Sequence, residues 1–207
     1  MEDGKHAVIL AGGQGVRLRP YTTPIPQPLV PIGGEMSILE IVLRQLRAHG
    51  FTSVTLAIGH LGQIIRAYVG DGSAWDVDVT FHSEQEQLGA VGSLVRMKDS
   101  LPERFVVMNG DVLTDLNYRA LLDEHTLFDA DVTVGTYSRE FKVDFGVLEI
   151  SNGQITEFRE KPSLGYSVSM GVYGMSRRVL ERYADGTAMD FDTLLPDQLR
   201  LGRAPHS

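Results

Sequence analysis

The run His6–Ala11, HAVILA, is apolar and breaks directly into Gly12-Gly13-Gln14-Gly15. A short apolar run bounded this way reads as a buried strand, and three glycines in four positions end it in a tight turn. The segments that follow alternate in type. Ser37–His49 carries Ile38, Ile41, Val42 and Leu46 at helical spacing and stops at Gly50, a helix C-terminus. Ser53–Ile58 reads as a strand, and Ile64, Ile65 and Tyr68 line a short helix ending at Gly70. Val77–His82 alternates as a strand, Phe105–Met108 is a further buried strand, and a helix around Tyr118–His125 precedes the strand Asp131–Tyr137. Gly146–Ile150, the Asn152-Gly153 turn and Gln154–Phe158 then read as a hairpin, because Asn-Gly suits a type I′ turn. This order predicts an α/β, Rossmann-like, mostly parallel mixed sheet with helices on both faces and a small β-hairpin substrate lobe. Residues 1–207 are expected to form one domain in two parts, one over about 1–135 and one over about 136–207.

Composition excludes several classes. A net charge of −8 repels phosphate backbones, and Arg17 and Arg19 form only a small local cluster, so nucleic acid is not an expected partner. The chain has no cysteine, which rules out a disulfide framework and thiolate metal sites and fits a reducing compartment. The apolar run Ala7–Ala11 is too short for a signal peptide, and no stretch approaches the ~20 apolar residues of a membrane helix. A cytoplasmic protein without a membrane partner is therefore expected. An apolar helix face serves a core and an interface equally well, so self-association stays open.

Backbone N–H groups of a glycine-rich turn converge on one point, which suits phosphate oxygens. Arg17 adds a forked cation that can hold two of them. The alternative is a turn needed only for chain reversal. The loop is neither GxxxxGK[ST] nor GxGxxG. Asp111, in Asn109-Gly110-Asp111 at the end of a buried strand, suits a hard cation such as Mg²⁺, or it caps the next turn, with Asp115 competing for either role. Glu84-Gln85-Glu86-Gln87 offers carboxylates able to accept from a guanine edge, or is a charged surface loop. Glu160-Lys161, before Pro162, reads on its own as a solvated charge pair. Trp75 and Met170 read as packing residues.

LAGGQGVRLRPYTTPIPQPLVPIGG, running from Leu10, resembles the signature of the sugar-1-phosphate nucleotidyltransferases, which include mannose-1-phosphate guanylyltransferases and glucose-1-phosphate thymidylyltransferases. GHLGQIIRAYVGDGS, EQEQLGAVGSL, VMNGDVLTDL, DFGVLEI and FREKPSLGYSVSMGVY resemble the family's later motifs in order. The similarity covers nearly the whole chain and is strongest to the guanylyl- and heptose-phosphate nucleotidyltransferases. It implies transfer of a nucleoside monophosphate from an NTP, with GTP favoured, to a sugar-1-phosphate, using Mg²⁺ bound at Asp111. By resemblance Leu10, Ala11, Gly12, Gly13 and Gly15 hold the nucleotide with Arg17, and Glu84 and Gly89 meet the base. Gly146, Glu160, Lys161 and Gly171 are implied to contact the sugar phosphate.

Three departures stand out. Pro26-Gln27-Pro28 occupies the place of the family's P-K-P, so Gln27 holds the position of a catalytic lysine without its charge. Ala90 stands where L-G-T-A-G has a hydroxyl. The W-x-D-x-G segment that supplies a second metal-binding aspartate is expected to be missing, and Asp190, Asp192 and Asp197 lie too early to be assigned that role. These departures support a rival: a catalytically impaired nucleotide- or NDP-sugar-binding regulatory or partner subunit. A Rossmann-like oxidoreductase is excluded by the glycine spacing.

Overall fold

The computed structural model describes residues 5–84 and 86–207, apart from the side chain of Arg17. The strands are β1 (Lys5–Ala11), β2 (Pro31–Ile32), β3 (Met36–Ser37), β4 (Phe51–Ile58), β5 (Asp78–Ser83), β6 (Arg104–Asn109), β7 (Val132–Lys142), β8 (Val147–Ser151), β9 (Gln154–Arg159) and β10 (Ser163–Ser176). The helices are α1 (Ile38–Ala48), α2 (Gly62–Val69), α3 (Gly89–Met97), α4 (Tyr118–Leu127), α5 (Arg177–Leu180) and α6 (Phe191–Arg200).

By compactness the chain forms two units, one of residues 1–135 with 171–207 and one of residues 136–170. Residues 171–207, expected beside the hairpin, instead belong to the first unit, because the last residues of β10 pair with β6, from Val172↔Met108 to Ser176↔Arg104.

The main sheet has the order β5-β4-β1-β6-β10-β7. β1 is parallel to β4 and to β6, β4 is parallel to β5, and β10 is antiparallel to β6. The mostly parallel α/β architecture read from the sequence is thus observed. Side chains alternate across the sheet. Val8, Ala57, Phe105, Val107, Tyr173 and Met175 join one buried cluster with Val91, Leu94 and Val95 of α3, Val179 and Leu180 of α5, and Phe191 and Leu194 of α6. Ile9, Leu56, Val106 and Met108 point the other way and are fully buried; α1 packs on β4 and α4 on β6. α1 begins at Ser37, whose hydroxyl accepts from the Glu40 N–H at 3.1 Å, an N-cap worth about 1 kcal/mol. Trp75 stacks on Tyr68 at 6.0 Å.

The chain leaves β1 toward β4 on one side, while β6 lies on the other. The order therefore reverses at β1, and the crevice outside the carboxyl ends of β1 and β6 is where such sheets place ligands.

In the second unit β8 and β9 form the expected hairpin, with Val147↔Arg159 and Leu148↔Phe158 in register. Asn152 and Gly153 have φ of 51° and 79°, the left-handed values that a type I′ turn demands. Among the described residues, no helix is long and apolar enough to cross a membrane.

Candidate functional site

A cleft of about 710 Å³ opens at the crevice beside β1 and β6. Its walls come from five places: the turn after β1, the Gln27–Pro28 stretch, the β5–α3 connection, the Asn109–Asp111 turn after β6 and Asp190 ahead of α6. Leu10, Ala11, Gly12, Gly13, Glu84, Gly89, Gln27 and Asp111 all line it, so most of the residues read as nucleotide-binding or catalytic from the sequence come together.

Close backbone approaches build the floor. The Gly110 N–H donates to the Leu10 carbonyl at 2.8 Å, and a Cβ on Gly110 would lie 2.9 Å from that oxygen. Only glycine lets β1 and the turn after β6 meet there. Gly15, with φ of 60°, starts a short 3₁₀ turn over Val16–Leu18. Its carbonyl accepts from the buried Thr22 hydroxyl at 2.7 Å, which fixes the far side of the glycine loop. The side chain of Arg17 and the whole of Gln85 lie outside the described residues.

Gln27 and Asp111 meet directly: the Gln27 Nε2 donates to Asp111 Oδ2 at 2.8 Å. The residue in the family's lysine position is thus paired with the carboxylate expected to hold metal. Glu84 is anchored by its N–H, which donates to the Ile58 carbonyl at 2.8 Å. Its carboxylate reaches back over Gly12, where a Cβ would come within 2.2 Å of Oε2.

Asp190 also lines the cleft, and sequence reasoning left it unassigned. It is the N-cap residue of α6, yet its side chain accepts from the Ala90 N–H at the start of α3, at 2.6 Å. The only available signal was an Asp directly ahead of an amphipathic segment, which reads as an ordinary cap.

Among the described residues, the cleft is lined by three carboxylates, Glu84, Asp111 and Asp190, and by no lysine or arginine. No cluster of three or more His, Cys, Asp or Glu residues able to hold a metal ion occurs among the described residues. That donor set suits Mg²⁺ in one respect: this ion keeps several waters and is commonly held by one or two carboxylates together with substrate phosphates.

The remaining candidates fall elsewhere. Gly171 belongs to the first unit; it has φ of 72°, and a Cβ there would lie 2.8 Å from the Asn109 amide nitrogen. Gly146, Glu160 and Lys161 belong to the second unit. A Cβ on Gly146 would meet the Phe158 ring at 2.5 Å and Glu160 Oε2 at 3.3 Å, so Gly146 and Glu160 are neighbours. Lys161 is exposed and has φ of 43°.

Comparison with known proteins places the chain in a family. The family described as "Nucleotidyl transferase" matches residues 6–193. A UTP–glucose-1-phosphate uridylyltransferase from Synechocystis is 31% identical over 203 residues, covering 89% of this chain and 52% of the relative. Mannose-1-phosphate guanylyltransferase 1 of Arabidopsis thaliana is 32% identical over 185 residues, covering 85% and 51%. The chain thus spans about half the length of the curated relatives it matches. Among solved structures, HddC from Yersinia pseudotuberculosis superposes with a TM-score of 0.71 at 25% identity, covering 91% of this chain and 84% of that one. Its complex with GMP-PN gives a TM-score of 0.69, with 90% and 83% covered. With the glycine turn, the Asn109–Asp111 turn and the β5–α3 connection gathered at the switch point of the sheet, this chain belongs to the nucleotidyl transferase family.

Proposed function

We propose that this chain carries the nucleotidyl-transfer site of a sugar-1-phosphate nucleotidyltransferase, with GTP as the favoured donor. A phosphate oxygen of the sugar-1-phosphate attacks the α-phosphorus of the NTP in line. The bond to the β-phosphate oxygen breaks, pyrophosphate leaves and an NDP-sugar remains. No covalent enzyme intermediate is needed, so the protein acts by positioning and by stabilising charge. The observation that carries the reading is the convergence of the Gly12–Gly13 turn, Glu84, Gly89 and Asp111 on one cleft.

In this reading the backbone of Gly12, Gly13 and Gly15 cradles the triphosphate with Arg17. Glu84 accepts from the N1–H and N2–H of guanine while Gly89 packs against the base. Two relatives bear on the base: the guanylyltransferase named above and a mannose-1-phosphate guanylyltransferase from Mycobacterium tuberculosis that is 30% identical over 200 residues. Asp111 holds Mg²⁺, which supplies positive charge against the phosphates. Glu160 and Lys161 take the sugar phosphate; Gly146 and Gly171 lack side chains because Phe158 and Glu160 close on the first and Asn109 on the second. The reaction takes place in the cytoplasm, with NTP and sugar-1-phosphate as partners.

Gln27 favours a second reading, a nucleotide- or NDP-sugar-binding subunit of low activity. Its amide already donates to Asp111 but carries no charge to offset the phosphates. Loss of one preorganised cation costs on the order of 10²–10³ in rate. Pyrophosphate release is measured with Mg²⁺ for the native chain and Gln27→Lys, across five NTPs and mannose-, glucose- and heptose-1-phosphates. The transferase reading expects turnover, larger in the lysine variant, with one base and one sugar preferred. Silence from both variants, with nucleotide binding intact by calorimetry, supports the binding subunit instead.

A further inference from the structure

The start of α3 is held by a segment about a hundred residues away in sequence. The Ala90 N–H donates to Asp190 Oδ1 at 2.6 Å, and the N–H groups of Val91 and Gly92 both donate to the Met189 carbonyl at 3.0 Å. In return the Met189 N–H donates to the Leu88 carbonyl at 2.8 Å. Three N–H groups that a helix N-terminus ordinarily leaves open are therefore closed by Met189 and Asp190. Gly89 sits between the two segments with φ of 76°. A Cβ there would lie 2.6 Å from the Met189 oxygen and 2.8 Å from Asp190 Oδ2. Gly89 and Asp190 both face the cleft that Glu84 enters from the other end of the same connection.

We infer that Asp190 is a positioning residue for nucleotide selection: through Ala90 it fixes the Leu88–Gly92 turn against which the base packs. The assignment rests on the nucleotidyltransferase reading of the cleft. Asp190 also places a negative charge at the positive end of α3, which steadies the contact further. Because the Gly12–Gly15 loop has its own support from Thr22, Asp190 acts on recognition of the nucleoside and not on binding of the phosphates. The side chain matters as a hydrogen-bond acceptor, so asparagine can replace it and alanine cannot.

Calorimetry with Mg²⁺ and GTP, or Mg²⁺ and tripolyphosphate, tests this on the native chain, Asp190→Ala and Asp190→Asn, alongside hydrogen exchange at the Ala90–Gly92 amides without nucleotide. The expected result is faster exchange at Ala90 and about tenfold weaker GTP binding in Asp190→Ala, tripolyphosphate affinity within about twofold, and recovery of both in Asp190→Asn. A merely structural role would weaken GTP and tripolyphosphate together, and that outcome overturns the assignment. So does GTP binding by Asp190→Ala equal to that of the native chain. A native chain that binds no nucleotide overturns the reading of the cleft and this assignment with it, whereas unchanged exchange at Ala90 with native nucleotide binding overturns this assignment alone.

Discussion

His125 makes the folded chain sensitive to acid over a defined window. Its side chain is fully buried, with Nε2 3.1 Å from the Ser176 hydroxyl and Nδ1 2.9 Å from the Thr133 hydroxyl. Ser176 donates its own proton to the Ala130 carbonyl at 2.8 Å. The network therefore assigns the proton to Nε2, which donates to Ser176, and leaves Nδ1 to accept from Thr133. A neutral ring satisfies every partner, and a second proton on Nδ1 would face a hydroxyl already turned toward it. Burial, reinforced by the Arg104 and Arg178 charges, pushes the imidazole from 6.5 down to about 4; Asp129 and Asp131 pull weakly the other way. Below 6.5 the unfolded chain takes up a proton that the folded chain refuses, so stability falls as the pH drops toward 4. At about 1.4 kcal/mol per pH unit, the cost across that window is about 3 kcal/mol, a large share of a typical ~5–15 kcal/mol. Urea unfolding across this range tests the point, with His125→Gln as the non-titrating comparison. His6, also lowered by burial, contributes in the same direction to both proteins and cancels in the difference. The native chain should lose about 2–3 kcal/mol more than the variant between neutral pH and about 4.5. Equal losses in the two proteins would rule out His125 as the source of the acid sensitivity.

Asp131 is buried and accepts from Arg178 and Arg182 at 2.6 Å and from Arg203 at 3.1 Å. Burial alone would raise its pKa, but these hydrogen bonds outweigh it and hold the carboxyl at about 2. Its stabilisation is thus complete above about 3.8 and is lost as the pH falls toward 2. Asp131→Ala should cost about 2 kcal/mol, because the partly exposed arginines regain water, and should lower Tm by about 4–8 °C in a thermal melt. The nearest atoms to a Cβ in Gly12→Ala are those of the flexible tip of Glu84, so Tm should hold within about 1 °C while the displaced carboxylate weakens GTP binding about tenfold by calorimetry; an unchanged affinity would remove Glu84 from base recognition. Three carboxylates and no lysine or arginine line the cleft among the described residues, so replacing Mg²⁺ with EDTA should weaken GTP binding at least about tenfold. Equal affinity in EDTA would contradict a metal role for Asp111.

Much of the frame was legible in the sequence because its signals are local. The β1–glycine junction, the apolar spacing of α1 and the Asn152-Gly153 turn each follow from a few adjacent residues. α3 was not read, since Gly89, Gly92 and Ser93 weaken helix propensity and its first N–H groups are satisfied by Met189 and Asp190, far along the chain. β10 escaped for a similar reason. Gly165, Gly171 and Gly174 interrupt its strand pattern, and pairing with β6 supplies what propensity does not. α6 carries Pro196 within its span, which argues against a helix in sequence but leaves the first turn intact. In the cleft, motifs located most of the lining residues. The Gln27–Asp111 contact and the role of Asp190 join positions 84 and 100 residues apart, which only the folded chain brings together.

Nucleotidyl transfer carries the α-phosphoryl group across with its nucleoside, so the fate of the α-phosphorus is decisive. GTP radiolabelled at the α-phosphorus is incubated with the native chain or Gln27→Lys, Mg²⁺ and each sugar-1-phosphate, and the products are separated by chromatography. α-Label is expected in an NDP-sugar, while GTP labelled at the γ-phosphorus yields labelled pyrophosphate in equal amount. α-Label appearing only in free GDP or GMP, or staying in GTP with both proteins while the triphosphate binds, would contradict such transfer.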